Sequence, residues 1–400
     1  MTNSKSLIIL LSFLPFTLHC QKPDKYLIKS FILADKMQYN EALESLNFTE
    51  SKTNKDYPVI EARILYGLKN YEKSLSLFQK TEEKTPGKYQ LEIAQCNAQL
   101  NKNSQAIEHL KAYFKNRNKL PLSKVFNDDA FQHLKNTPDW EKLIQNLDYS
   151  ELEIKINQIR SLAEIGINDN FTNALDDAII KYPSNAELKF FQSVYFQEKG
   201  IYDAALKSIN QALEQNSGND KFLFQKSKVL QNKSDNNEAL ISLNEAIERN
   251  PYNYQYYINR LEVNRKLGNT EKAIQDIQFL EFCIPSLTEV VLAKVKMDIE
   301  TGNYLTAKRS LDELIAKEQS NPQYYILRGN LRLKTTQIVN ADLDFGMALD
   351  LNPDDPNANL GRGISKYKLN DLESACYYWQ KSYNAGSKEA HEYLLKYCQK

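Results

Sequence analysis

The chain has 400 residues, enough for two or three ordinary domains, and its 42% hydrophobic and 26% charged content can bury a sizeable core, which excludes disorder and collagen. Its 51 Lys+Arg balance 51 Asp+Glu, so no broad positive field exists to hold nucleic acid or an acidic membrane surface. Glycine and proline number 12 each, too few turn formers for a β-sandwich or barrel, and a mostly helical protein is expected.

Residues 1–19 read as a signal peptide: a short polar start carrying Lys5, then an apolar run from Leu7 to Phe16. That run is too short to cross a hydrocarbon core of about 30 Å. The segment resembles a bacterial lipoprotein signal, in which a cysteine is diacylated and becomes the new N-terminus. The resemblance implies lipidation of Cys20 and a place in the bacterial cell envelope, on the periplasmic or surface face of the outer membrane. Thr17, Leu18 and His19 depart from the usual lipobox, which has a branched apolar residue three places before the cysteine and small residues directly before it. Gln21 to Lys25 resembles the charged export signal of some surface lipoproteins; its plainer reading is a solvated tether.

Residues 20–120 contain three helix hairpins, marked by Met37 to Ala42, Asn70 to Ser74 and Asn103 to Ala106 and spaced by 32. Residues 121–151 form a helical spacer in which Phe131, Leu134, Trp140 and Leu143 are expected to plug the end of that array, and where the register breaks a hinge is also a reading. Residues 152–389 hold seven further units. The first keeps Ala178 and Pro183 in phase but has Phe171 where alanine belongs. The other six, over 186–389, follow a strict 34-residue register and begin at Ala186, Asp220, Tyr254, Thr288, Pro322 and Pro356. Position 20 is alanine in all six, from Ala205 to Ala375, so two helices must cross closely there. Positions 3 and 24 are apolar, while Gly200, Gly268 and Gly302 separate the helices of a unit. The predicted fold class is all-α: an α-solenoid of about ten helix hairpins, closed by a capping helix over 390–400.

The layout resembles the tetratricopeptide repeat, whose consensus has small residues at positions 8, 20 and 27, apolar residues at 4, 11, 17 and 24, and proline at 32. Position 8 is Ser193, Ser227, Gly329 and Gly363 but Leu261 and Val295 in the middle units, which must pack their first helices differently. A subtype with arginine at position 7 and aspartate at 23 is echoed by Arg260 with Asp276 and Arg328 with Asp344, read as ion pairs across one hairpin.

Sequence motifs for catalysis are missing. His109, His133 and His391 lie in different parts of the chain, and no nucleophile elbow, P-loop or HExxH is present. Gly361-Arg-Gly363 falls inside a repeat helix with no strand before it. The chain is therefore read as a non-enzymatic protein without cofactor or metal. An open solenoid offers a concave face lined by the first helices, and a protein or peptide partner is expected there, with no nucleic acid and no membrane contact beyond the lipid. Position 5 gives an apolar row, Phe190, Phe224, Ile258, Leu292, Ile326 and Leu360, read either as groove anchors or as side chains half buried between repeats. Lys228, Lys296 and Asn330 at position 9 and Arg265 at position 12 supply polar groove contacts. Chaperone-binding members of the resembled family carry basic residues at position 5, which this chain lacks.

The function expected from these features is a lipid-anchored interaction scaffold or assembly factor. One alternative is a glycan- or peptide-capturing subunit of an envelope uptake or export apparatus, which would cluster some of the 24 tyrosines and 17 phenylalanines on the surface. Another is a cytosolic repeat adaptor. Among the later cysteines, Cys376 and Cys398 lie equidistant from Ser387 in the connecting turn, so an antiparallel helix pair brings them face to face for a disulfide; two separate buried thiols are the alternative.

Overall fold

One backbone event sets the architecture. In a computed structural model that describes residues 23–115, 122–147 and 149–398, the turn inside successive hairpins contains a residue with left-handed φ. Met37, Lys69 and Asn101 occupy this place in the 32-residue array. Gly200, Ser234, Gly268, Gly302, Thr336 and Asn370 occupy it, at position 15, in the 34-residue array. The left-handed residue lets the next amide turn back onto the helix just ended, as Asp235 N does onto Leu230 O at 2.9 Å. The second helix then starts antiparallel to the first.

The described chain divides into two compact units, the first ending at Glu151 and the second beginning at Leu152. In the first, α1 (Lys25–Asp35) pairs with α2 (Tyr39–Asn47), α3 (Tyr57–Gly67) with α4 (Tyr71–Glu82), and α5 (Gln90–Gln99) with α6 (Asn103–Phe114). Ala42, Ser74 and Ala106 are wholly buried at the crossings. The spacer forms α7 (Leu122–Phe126), a 3-10 turn over Asp129–Leu134, and α8 (Pro138–Gln145). Phe131, Leu134, Trp140 and Leu143 are buried against Ala98, Ile107, Leu110 and Phe114 of the third hairpin. Asp24 begins the described fold as the N-cap of α1 and also holds the Glu50 and Ser51 amides at 2.7 and 3.1 Å. This end of the charged stretch after Cys20 is therefore anchored structure and not tether; Cys20 itself and residues 1–19 lie outside the described residues.

In the second unit the hairpins are α9 (Glu151–Ile165) with α10 (Asp169–Lys181), α11 (Ala186–Glu198) with α12 (Tyr202–Gln215), α13 (Asp220–Asn232) with α14 (Asn236–Arg249), and α15 (Tyr254–Lys266) with α16 (Thr270–Cys283). They continue with α17 (Thr288–Thr301) and α18 (Tyr304–Lys317), α19 (Pro322–Lys334) and α20 (Ile338–Leu351), and α21 (Pro356–Lys368) and α22 (Leu372–Asn384). Asn185, Asn219, Asn253, Asn321 and Asp355 stand immediately before five first helices and cap them through side-chain oxygens. The position-20 alanines from Ala205 to Ala375 are wholly buried.

Position 8 sets the closeness of each hairpin. Where it is Ser or Gly the two helices pack tightly, and where it is Leu261 or Val295 they stand farther apart. The closing helix α23 (Lys388–Tyr397) begins after Ser387, whose side chain caps it by accepting from Ala390 N. It packs on α22, with Tyr393 stacked on Trp379 at 4.8 Å between ring centroids, and Cys376 is bridged to Cys398 with Cα atoms 5.8 Å apart.

Candidate functional site

The first helices of the second unit carry the residues expected to face a partner. The position-5 row is placed in the seams between repeats. Phe190 stacks on Phe222, at position 3 of the following unit, with centroids 5.4 Å apart, and Phe224 meets Tyr256 in the same way at 4.8 Å. Ile326 and Leu360 retain 8% exposure each, and Ile258 and Leu292 are half-buried. The repeat register puts an apolar pair at each seam, and burying it is worth more than leaving it to a ligand. Phe190 and Phe224 thus help seal seams between units, while these two, Ile258 and Leu292 each keep part of their surface open.

The polar groove residues do come together. Glu262 accepts from Arg265 at 2.9 Å and from Lys296, one repeat on, at 3.1 Å; Arg265 also pairs with Glu300. Burial opposes charge on Glu262, yet the cations of Lys296 and Arg265 outweigh it and hold the carboxyl below its ordinary range. Beyond this ladder, Lys296, Ile299, Leu327, Asn330 and Leu333 line a cavity of about 380 Å³ between α17 and α19. Its walls are apolar and its rim carries the ammoniums of Lys296 and Lys334, the Glu300 carboxylate and the Asn330 amide, a composition that suits a polar-tipped peptide side chain.

Lys228 stands apart. Its ammonium lies 5.2 Å from the centre of the Phe224 ring, and no carboxylate of the described residues forms an ion pair with it. Burial depresses its pKa, partly countered by Glu198. A half-buried ammonium beside a ring is a group that an acidic side chain could approach.

The position-7 arginines do more than close one hairpin. Arg260 bonds Asp276, sixteen residues on, at 2.6 and 3.0 Å, and Asn244, sixteen residues back, at 3.1 Å. Arg328 repeats the geometry with Asp344 at 2.8 Å and Asp312 at 2.8 Å. Each guanidinium thus staples its own hairpin to the preceding one.

Sequence reasoning missed a second concavity, in the first unit. A cavity of about 340 Å³ lies on the equivalent face, walled by Phe31, Tyr39, Tyr66 and Leu91 with Arg63 and Glu92 at its edge. Arg63 and Glu92 approach to 3.3 Å, and the Tyr39 ring lies against Gly67, where a β-carbon would come within 2.2 Å.

Among the described residues the exposed aromatics are Phe48, just after α2, and Tyr367, Tyr377 and Tyr383 in the last hairpin. No group of three or more His, Cys, Asp or Glu among those residues could hold a metal, and no described helix is long and apolar enough to cross a membrane. Cys96 is buried beside Ser74 Oγ at 3.4 Å, and burial pushes its thiol up to about 11.

No protein-family profile matches the sequence, and no curated protein matches it. Solved structures do. A tetratricopeptide repeat protein from Parabacteroides merdae, 21% identical, superposes with a TM-score of 0.55 over 61% of this chain and 97% of its own. The APC/C heterotetramer Cut9–Hcn1 is similar at 12% identity and a TM-score of 0.53, covering 94% of this chain and 83% of that one. These likenesses establish the fold as a tetratricopeptide-repeat α-solenoid.

Proposed function

We propose that this tetratricopeptide-repeat chain is an interaction scaffold of the bacterial cell envelope, tethered by a lipid on Cys20, which holds a peptide segment of a protein partner along the first helices of its second unit. The observation that carries the reading is the cavity between α17 and α19, where apolar Ile299, Leu327 and Leu333 meet Lys296, Lys334, Glu300 and Asn330. A side chain enters that cavity, and the ladder from Glu262 to Glu300 fixes the groove floor next to it. Lys228 takes an acidic group of the same segment. Cut9–Hcn1, a protein–protein assembly, is built on the same fold. Only four aromatics of the described residues are exposed, too few to favour a glycan platform.

A photocrosslinking amino acid at Leu333 should yield adducts in intact cells, whereas the same group at Lys207, on the opposite helix row, should not. Equal adducts at both sites, or adducts only around Tyr66, would move the site out of this groove. Metabolic labelling with an alkyne fatty acid should tag the wild type and spare Cys20→Ala; equal labelling of both removes the lipid.

A further inference from the structure

Most second helices expose positions 18, 22, 26 and 30, which are mainly charged or polar; α16 departs, with Cys283 buried at position 30. On α12 they are Asp203, Lys207, Gln211 and Gln215. On α20 alone they are all apolar: Val339, Leu343, Met347 and Leu351, exposed by 63, 60, 48 and 43%. The spacing of four makes one continuous stripe about 18 Å long on the helix surface. The stripe broadens at the same repeat positions on its neighbours, with Leu305 of α18 exposed by 85% and Tyr377 of α22 by 56%. Of the three carboxylates of α20, Asp350 lies at the end of the stripe and the other two are engaged elsewhere. Asp342 and Asp344 turn to Arg362, Lys366, Arg328 and Arg332 of the adjoining helices. An apolar patch on the order of several hundred Å² is the size that marks an interaction surface on a soluble protein.

We propose that this stripe is a two-fold interface between copies of the chain, with α20 packed antiparallel on α20 of the copy. Antiparallel pairing about Phe345 sets Val339 against Leu351 and Leu343 against Met347, apolar on apolar throughout. The 34-residue period carries that register to the flanking helices. There Arg309 meets Glu313 of the copy on α18, and Tyr377 meets Lys381 of the copy on α22. At the ends of the stripe Asp350 comes opposite Asn340. Arg309 and Glu313 are exposed, and Lys381 lies 5.5 Å from the ring of its own Tyr377, so the cation and ring are already placed for exchange across the axis. An isologous interface must be complementary to itself, and the antiparallel register satisfies that at each of these levels. Parallel pairing would instead oppose Asp350 to Asp350. The rim mixes Arg309 and Lys381 with Glu313, Asp350 and Glu373, and lacks the excess of cations that an anionic lipid surface would select.

Sedimentation equilibrium of the full chain should give a two-chain mass. Leu343→Glu with Met347→Glu should reduce it to one chain with circular dichroism unchanged, because both side chains are on the surface. Arg309→Glu should weaken dimerisation about tenfold, by setting Glu against Glu, and adding Glu313→Arg should restore it. A wild type of one-chain mass, or a dimer indifferent to the Leu343/Met347 changes, overturns the interface. Failure of the charge swap to restore dimerisation overturns the register. Co-flotation of a monomer with phosphatidylglycerol vesicles, lost on Leu343→Glu, assigns the stripe to lipid and overturns the proposal equally.

Discussion

A β-carbon on Gly329 would stand 2.8 Å from the ring of Phe345, closer than real side chains come. The two residues are positions 8 and 24 of one repeat, and they trade volume. Glycine faces an aromatic here and again at Gly363 and Trp379, whereas serine faces Ile209 or Leu243 in the units before. Gly329→Ala should therefore lower stability by about 1–3 kcal/mol through overpacking, although alanine is the better helix former by about 1 kcal/mol. Urea unfolding followed by circular dichroism measures it, and Phe345→Leu in the same chain should recover part of the loss. A midpoint equal to or above wild type would mean that the ring swings aside.

Thr336 holds the left-handed turn of its hairpin at φ 59°, a conformation that crowds a β-branched side chain, while Gly302 holds the same place in the previous repeat without strain. Thr336→Gly should raise stability by about 1 kcal/mol, and Gly302→Thr should lower it by a similar amount. Melting temperatures of the two variants moving in the same direction would contradict this account.

Asp24 receives bonds from Leu27 N, Thr49 Oγ1, Glu50 N and Ser51 N between 2.7 and 3.1 Å. Burial pushes its pKa up, but those donors outweigh it and hold the carboxyl below its ordinary value. Because folding favours the charged form, the contribution is fully present above the unfolded value near 3.9 and is lost as pH falls through the lower folded value. Asp24→Ala should cost about 1–2 kcal/mol at neutral pH, as loss of an N-cap does, and the penalty should shrink on acidification below pH ~3.9. Exchange of the α1 and α2 amides with deuterium reads this locally; a penalty independent of pH would rule out the charged carboxylate as its source.

The hairpin array was legible because its constraints act on residue size. A close crossing admits only a small side chain, so alanine at position 20 announces the helix pair wherever it occurs, from Ala205 to Ala375. The position-5 row shows the limit: apolar character identifies Phe190 and Ile326 as contact residues but not which neighbour they contact, and the seam took them. The backward reach of Arg260 and Arg328 was hidden because their partners at minus sixteen differ, Asn244 in one case and Asp312 in the other. The cavity of the first unit is built from Phe31, Arg63, Tyr66 and Gln95, which share no side-chain type from repeat to repeat. The stripe on α20, by contrast, was visible in the aligned repeats as the one second helix with no charge on its outer row.

A stack of like units has no stopping point of its own. The face that each hairpin offers its successor is the face that the last hairpin would offer the first hairpin of another molecule, and such head-to-tail contacts do not close; they grow. Here α23 occupies that face with Tyr393 and Tyr397 over Trp379, and the Cys376–Cys398 bridge ties the helix to the hairpin it covers. A fluctuation that lifted α23 away would leave it tethered beside its own seat, at an effective concentration that an intruding molecule could not match. The bridge thus holds α23 over the end of this hairpin and keeps that face from the first hairpin of another molecule.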